Sequence, residues 1–386
     1  MRYCYLKKNQ KMATERLIVV AVSDDLLTDQ RVLRACDALH EAGLKVKLIG
    51  RSWPDSTPLN RPYESRKMRL VFHKTALFYA EFNLRLFFKL MFSKADAFYA
   101  NDSDTLLAVG MAAQLRGKPF VFDSHELFPD VPELVDKPFV RKVWGMVERC
   151  FIPKAAARVT VNQSLAEELQ RRYGVKFEVV RNLSSSHDAD VAERPNRSED
   201  SRFLLYQGAV NKGRCVKELI DAMEFVDDYK LVVAGGGDLH DEMRHYAASR
   251  SYGERIVFTG RINPDELKKL TPKATLGFCI MEDMGLNYYL SLPNRIGDYA
   301  SAGVPVVASD FPEIGRVVKK YGIGTLVDEA TAKDPRRMAD TIKETLREWE
   351  SMPENERRNR FAAAKEDLSW SREKQTLTGI VKKTIQ

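Results

Sequence analysis

Side chains that can hold phosphate occur at two places in the second half of the chain. Lys212 and Arg214 lie in a short loop with glycines, shortly after the apolar run Phe203–Tyr206. Arg295 lies in a second stretch, Ser291–Asp310. Arginine can bind phosphate with two parallel hydrogen bonds and lysine acts as a point charge, so these cations could flank a diphosphate. A solvated loop with incidental charge is the alternative.

The stretch Ser291–Asp310 has the pattern of a loop, a helix, a turn and a strand. Pro293 and Asn294 suit the start of the helix, and Gly303 suits its end. A helix N-terminus attracts anions through its unpaired N–H groups and its dipole. Asp298, one turn further on, could accept hydrogen bonds from sugar hydroxyls. The same pattern also fits an ordinary loop–helix–strand unit.

Acidic side chains and a histidine follow apolar runs in the first half of the chain. Asp29 comes after the run Leu17–Val22, Asp102 ends a second run, and His125 and Glu126 end a third. Ligands of α/β proteins bind at the carboxyl ends of parallel strands, so these residues are candidates for a site. Asp29 could also cap the helix that follows it, and both roles could hold.

The length and composition of the chain indicate a two-domain globular protein with an acidic partner. It has 386 residues, of which 44% are hydrophobic and 30% charged, and its net charge is +7. The partner could be a nucleotide phosphate, an anionic membrane or a nucleic acid. The five cysteines are scattered without a Cys-x-x-Cys pair, which favours a reducing compartment and no structural zinc.

Apolar runs alternate with helical patterns in both halves, which predicts an α/β fold of two doubly wound, Rossmann-like domains. About six parallel strands are expected in the first domain and six in the second. The stretch 52–69 is predicted to be a surface loop. The predicted organisation is a leader or tail (1–15), a first domain (16–183), a linker (184–202), a second domain (203–365) and a C-terminal segment (366–386). The natural start is expected at Met12, or else the leader is a disordered tail.

Two stretches could contact a membrane surface, although no apolar run is long enough to span one. The first, 76–92, is a mostly apolar helix with Glu81, Arg85 and Lys89 on one stripe. A core helix with one wet edge is the alternative to a helix at a membrane interface. The second, 138–158, carries five basic residues and one acid, with Trp144 and other apolar residues interleaved, and could equally be a solvated helix.

The text Leu-Pro-Asn-Arg-Ile-Gly-Asp-Tyr-Ala-Ser-Ala-Gly-Val-Pro-Val-Val, beginning at Leu292, resembles the donor-binding segment of retaining glycosyltransferases of family 4, which have the GT-B fold. The family usually has Pro-Asn-Lys-Leu-Phe-Glu-Tyr-Met-Ala-Ala-Gly-Lys-Pro-Val-Val. Arg295 replaces the lysine and Asp298 the glutamate. Many members have a second glutamate eight positions earlier, where this chain has Leu290, so the carboxylate pair is incomplete.

Four further segments resemble the same family in the same order, so the resemblance covers about residues 16 to 386. They are the entry to the first helix at Asp29, the strand ends at Asp102 and at His125–Glu126, the phosphate loop from Gly208 to Arg214, and the glycine turn at Gly236 with Arg261 beyond it. The resemblance implies His125 near the transferred sugar, with Lys212 and Arg214 as the other catalytic residues. It implies substrate contacts at Asp29, Asp102, Glu126, Gly208, Gly236, Arg261, Ser291, Leu292, Asn294, Arg295 and Asp298.

The resemblance implies transfer of a sugar from a UDP- or GDP-linked donor to a saccharide or lipid-linked acceptor, with retention of configuration. The second domain would bind the nucleotide and the first the acceptor, without metal or cofactor. The segment 366–386 would form the closing helix of the family, which crosses back to the first domain. The protein is expected to be cytoplasmic, either free or peripheral on the anionic inner face of the membrane. A sugar-nucleotide epimerase of the same fold is the alternative. A nucleic-acid binder is suggested only by the net charge, since no nucleic-acid motif occurs.

Overall fold

A computed structural model describes residues 16–26, 29–51, 60–131, 134, 136–183 and 202–385. The predicted leader and nearly all of the predicted linker lie outside these residues. None of the described helices is both long and apolar enough to cross a bilayer.

The first half of the chain forms a seven-stranded sheet in the order β3-β2-β1-β4-β5-β6-β7. Neighbouring strands in its described ladders run parallel. The strands are β1 (Leu17–Asp25), β2 (Lys45–Arg51), β3 (Glu64–Met68), β4 (Ala97–Asn101), β5 (Phe120–Ser124), β6 (Ala157–Thr160) and β7 (Glu178–Val179).

Strand β3 corrects the prediction of a surface loop over 52–69. Its sequence, Glu-Ser-Arg-Lys-Met, has no apolar run that would reveal a strand. It lies at the end of the sheet and pairs only with β2 in the described strand order, so most of its side chains can remain polar.

The second half of the chain forms a six-stranded parallel sheet, as predicted, in the order β10-β9-β8-β11-β12-β13. The strands are β8 (Phe203–Gln207), β9 (Lys230–Ala234), β10 (Ile256–Gly260), β11 (Leu276–Cys279), β12 (Val306–Ser309) and β13 (Gly324–Val327). Leu204 and Tyr206 of β8 join one hydrophobic cluster and Leu205 joins another, so both faces of the sheet are buried at this central strand.

Helices accompany the strands of both sheets, which makes the fold α/β and Rossmann-like, as predicted. The helices are α1 (Gln30–Glu41), α2 (Thr75–Met91), α3 (Asp102–Arg116), α4 (Pro138–Phe151), α5 (Gln163–Tyr173), α6 (Val216–Ala222), α7 (His240–Ala248), α8 (Pro264–Leu270), α9 (Leu286–Tyr289), α10 (Asn294–Ser301), α11 (Pro312–Tyr321), α12 (Glu329–Lys333), α13 (Pro335–Ser351), α14 (Glu354–Asp367) and α15 (Trp370–Ile385).

The contacts divide the chain into two compact units. The first unit contains the described part of 1–123 together with Val147–Arg158 and the end of the chain from Leu377. The second contains Ser124–Met146 and the described part of Val159–Thr376. The segment that carries His125 is therefore grouped with the second sheet. The domain boundaries given above remain predictions.

Candidate functional site

Two cavities in the second unit meet at the start of α10. The first, which we call the histidine cavity, has a volume of about 190 Å³ and is lined by His125, Glu126 and Asn287, among others. The second, the glycine-loop cavity, has a volume of about 340 Å³ and is lined by Gly208, Asp298 and others. Four residues line both cavities: Arg214, Ser291, Pro293 and Asn294.

Helix α10 begins at Asn294, and the residue in its N-cap position is Pro293, which forms no side-chain cap. Asn294 therefore does not cap the helix, contrary to the pattern-based expectation. The N–H of Ile296 donates to the carbonyl of Pro293 at 3.1 Å, and the N-cap residue makes no side-chain hydrogen bond to the other N–H groups of the first turn. A helix start of this kind can bind an anion. Gly303, with φ of 67°, follows the helix where its end was predicted.

Arg214 is the cation that both cavities share. Its guanidinium lies over the ring of Tyr288 at 4.8 Å, and its Nη1 lies 3.5 Å from the sulfur of Met281. Gly213 beside it has φ of 79°, and a Cβ there would lie 2.6 Å from Met284. These contacts with Met281, Met284 and Tyr288 fix the position of the loop that carries Arg214. Lys212 is exposed and lines neither cavity.

Arg295 lies under the loop that follows β8 and lines the glycine-loop cavity. Its Nη1 donates to the carbonyl of Gln207 at 3.3 Å, and its guanidinium is 5.0 Å from the ring of Tyr206. Burial opposes its charge, but nearby Cys279 and Tyr206 favour it, and the pKa of Arg295 is raised overall. This cation therefore supports the loop as well as lining the cavity.

Asp298 also lines the glycine-loop cavity, where its Oδ2 accepts from Nε2 of Gln207 at 3.0 Å. Oε1 of Gln207 in turn accepts from the hydroxyl of Thr271 at 2.9 Å. This chain of contacts fixes one oxygen of the carboxylate.

The predicted residues Gly208, Ser291, Leu292 and Asn294 line one cavity or both. Gly236 and Arg261 line neither, although they adjoin each other, since a Cβ on Gly236 would lie 3.7 Å from that of Arg261. The same turn packs on the phosphate loop, because a Cβ on Gly235 would lie 1.8 Å from the carbonyl oxygen of Gly208.

Asp29 and Asp102 belong to the first unit and line neither cavity. Asp29 is the N-cap of α1, with Oδ1 accepting from the N–H groups of Arg31 and Val32 at 3.1 and 3.0 Å. The capping role is therefore confirmed. Asp102 begins α3 with φ of 55°, a backbone conformation uncommon for residues other than glycine.

Several amides and an aromatic residue line the histidine cavity that the sequence did not single out: Asn162, Asn182, Asn287 and Tyr288. Asparagine is common in loops for backbone reasons, so its presence alone gave no signal. One group that could hold a metal occurs among the described residues, formed by Cys215, Glu218 and Glu282 within 4.8 Å of one another.

Two family models match the chain. Residues 29–183 match "Glycosyltransferase Family 4", and residues 189–367 match "Glycosyl transferases group 1". The chain belongs to glycosyltransferase family 4.

Two curated proteins resemble parts of this family 4 chain. An uncharacterized glycosyltransferase of Methanocaldococcus jannaschii is 24% identical over 209 residues, which are 50% of this chain and 51% of that protein. Phosphatidyl-myo-inositol mannosyltransferase of Mycobacterium leprae is 30% identical over 168 residues, 42% of this chain and 41% of the relative. The chain thus spans about half the length of these relatives or less.

Solved structures of glycosyltransferases have the same fold over nearly the whole chain. Sucrose-phosphate synthase of Thermosynechococcus elongatus matches with a TM-score of 0.74 at 18% identity, covering 96% of this chain and 99% of that one. HepE of Anabaena, in complex with UDP-glucose, matches with a TM-score of 0.71 at 12% identity, covering 95% and 99%. The GT-B fold predicted from the resemblance is therefore confirmed.

Proposed function

We propose that this protein is a retaining hexosyltransferase that moves a sugar from a nucleotide diphosphate to an acceptor hydroxyl. The observation that carries the proposal is Arg214, which lines two adjoining cavities together with Pro293 and Asn294 at the start of α10. The glycine-loop cavity suits the nucleotide, and the histidine cavity suits the sugar. A nucleotide-sugar donor is also consistent with the relative HepE, whose structures contain UDP or UDP-glucose.

The proposed reaction breaks the bond between the sugar carbon and the diphosphate oxygen. Arg214 and the N–H groups at the start of α10 stabilise the negative charge that develops on the departing diphosphate. The acceptor oxygen attacks from the same face, and its proton passes to an oxygen of that diphosphate. His125 and Glu126 lie on the sugar side, where they orient hydroxyls, and Asp298 meets the hydroxyls of the nucleotide ribose.

No metal or other cofactor is assigned a step in this proposal, since cationic side chains and N–H groups supply the stabilisation. Activity should therefore survive a chelator. Loss of transfer in EDTA, restored by a divalent cation, would contradict this part of the proposal and direct attention to Cys215, Glu218 and Glu282.

The direct test is a thermal-shift screen of UDP- and GDP-linked sugars, followed by product analysis. A ligand that binds only the folded protein raises its melting temperature. Incubation without an acceptor separates transfer from the alternative, since an epimerase would still convert the sugar nucleotide. Retention is read from the anomeric configuration of the product, and an inverted product would refute that part.

We further propose that the acceptor is lipid-linked or a surface glycan, and that the protein works on an anionic membrane. The support is an exposed surface of the first unit, which we call the α2–α3 face. Leu84 and Phe88 on α2 and Leu115 on α3 are between 52% and 67% exposed, and Phe92 just after α2 is 85% exposed. Arg116 at the end of α3 donates to the carbonyl of Leu90, so the two helices adjoin.

Exposed lysines accompany these apolar side chains, and that combination suits an anionic bilayer better than a protein partner. Lys89 and Lys94 are both exposed. In the second stretch, Trp144, Phe151 and Ile152 are buried, so they are not offered to a membrane. Phe139 and Met146 remain exposed there.

Flotation with vesicles tests the membrane proposal. The protein should bind vesicles that contain phosphatidylserine at low salt, and Phe88→Glu should weaken binding. Val257→Glu, at a similarly exposed position in the second sheet, is the matched control. Absence of binding at low salt would contradict the proposal, and an effect of Phe139→Glu would extend it to the second stretch.

A further inference from the structure

We propose that Asn287 is a positioning residue that holds the segment His125–Leu127 in place at the histidine cavity. Asn287 lies in α9, and its side chain is buried. Its Oδ1 accepts from the backbone N–H of Leu127 at 2.9 Å, and its Nδ2 donates to Oε2 of Glu126 at 3.3 Å. One amide therefore fixes both the backbone and the carboxylate of the segment that carries His125.

The chemistry of the two contacts sets the orientation of the amide. A backbone N–H must meet the amide oxygen, and an ionised carboxylate must meet the amide NH₂, so a flipped asparagine would lose both bonds. Asparagine satisfies both contacts at once. An aspartate of the same shape would keep the first bond and set two carboxylates against each other at the second.

Helix α9 also supports the phosphate loop. Tyr288, the next residue, lies under the guanidinium of Arg214 at 4.8 Å. The N–H of Glu282, just before the helix, donates to the carbonyl of Gly213 at 3.0 Å. The segment 282–288 thus contacts both Arg214 with its loop and the segment that carries His125. On the proposed function, on which this inference rests, Asn287 sets the position of the sugar relative to the departing diphosphate.

The position of Asn287 separates its effect on turnover from its effect on nucleotide affinity. It lines the histidine cavity but not the glycine-loop cavity, where the nucleotide is proposed to bind. Asn287→Asp should therefore lower kcat at neutral pH by about 10- to 100-fold, as expected for a misplaced reacting group. The affinity for UDP should change by less than about threefold, because the nucleotide contacts remain.

Acidification should restore the variant in part. Two carboxyl groups this close cannot both ionise freely, so one proton is shared at a higher pH than usual and the hydrogen bond between them returns. The ratio of variant to wild-type kcat should rise as the pH falls. Asn355→Asp, the same change at an exposed site on α14, is the control and should leave both quantities unchanged.

Hydrogen–deuterium exchange of the peptide 124–131 gives a readout that does not depend on activity. Asn287→Asp should speed exchange there at neutral pH. In the double variant Asn287→Asp with Glu126→Gln, the amide is at position 126 and the carboxylate at position 287, so a hydrogen bond can form again across the same contact. Protection of the peptide from exchange should therefore recover, even if turnover does not.

Three results would overturn the inference. They are an unchanged exchange rate in Asn287→Asp, a parallel loss of kcat and UDP affinity, or a kcat ratio that does not depend on pH. If the wild-type protein turns over no sugar nucleotide, the proposed function fails, and the exchange rates of the single and double variants still decide whether Asn287 holds the segment.

Discussion

At the scale of single residues, the two cations of the phosphate loop differ in their surroundings. Arg214 lies between the cavities on an aromatic ring, whereas Lys212 is exposed and lines neither of them. Arg214→Ala should therefore cost about 2–4 kcal/mol of transition-state stabilisation, as for the loss of a donor that stabilises developing charge. The melting temperature should hardly change, since the side chain is only half-buried.

Lys212→Ala is the companion variant and should have a smaller effect on kcat/KM than Arg214→Ala. Steady-state kinetics with the donor identified by thermal shift provide the measurement. Near-normal turnover in both variants would mean that the phosphates are held by backbone N–H groups and Arg295 alone.

His125 and Asp298 line different cavities, so their variants should differ in kind. His125→Ala should lower turnover more than nucleotide affinity, because it faces the sugar side. Asp298→Ala should weaken nucleotide binding more than turnover. Titration with UDP and measurement of kcat separate the two effects, and the reverse pattern would refute both assignments.

The sequence identified the types of residue in the site better than their roles. Arg214, His125 and Asp298 were predicted from their position after strands or in a helix, and they do line the cavities. Arg295 was predicted as a third cation across the site, but it also supports the loop through Gln207 and Tyr206. Asn287 gave no signal because its partners, Glu126 and Leu127, are some 160 residues away in the chain.

At the scale of elements, the glycine turn after β9 acts as the support of the phosphate loop. A Cβ on Gly235 would lie 1.8 Å from the carbonyl oxygen of Gly208, a contact that backbone cannot relieve without moving. Gly235→Ala should displace the loop and destabilise the protein by about 1–3 kcal/mol, as overpacking does elsewhere. Urea unfolding and UDP titration measure the two consequences.

Gly236→Ala is the matched control on the same turn. A Cβ there would meet the Cβ of Arg261 at 3.7 Å, an ordinary contact. Its unfolding midpoint should remain near that of the wild type. Equal losses in the two variants would show that the turn tolerates no side chain for reasons other than the contact with Gly208.

Elements were easy to predict where burial produces a pattern. The six strands of the second sheet are mostly apolar in sequence, and each lies near its predicted position. Strand β3 was missed because an edge strand with polar side chains has the composition of a loop. The predicted start of α10 is correct. The predicted cap, Asn294, is wrong, since Pro293 occupies the cap position.

At the scale of the whole molecule, an ionic cluster at the end of α14 links distant parts of the second unit. Arg181 donates to Asp367 at 3.1 Å and to Glu373 at 2.8 Å, and Lys320 donates to Asp367 at 3.1 Å. Burial would raise the pKa of Asp367, but Tyr321 and Arg181 lower it by more, so the pKa lies below its usual value.

A carboxylate with a lowered pKa in the folded state stabilises that state above its ordinary pKa. That stabilisation is lost as the pH falls through the folded-state value. Asp367→Asn should therefore be less stable than the wild type at neutral pH, and the gap should close below about pH 4. Thermal unfolding from neutral to strongly acidic pH measures it, and a gap that stays constant would contradict the role of Asp367.

The packing of Trp144 provides the protein with an optical reporter. Its indole is buried edge-on against Phe128 at 5.1 Å, and Phe128 comes three residues after His125 in the same unit. Tryptophan emission responds to the polarity and contacts of the indole, so a ligand that shifts the His125 segment should change the colour or intensity of the protein's own fluorescence. Trp144→Phe would remove that change and leave the signals of the other three tryptophans, Trp53, Trp349 and Trp370. Occupation of the sugar side could then be followed without any label.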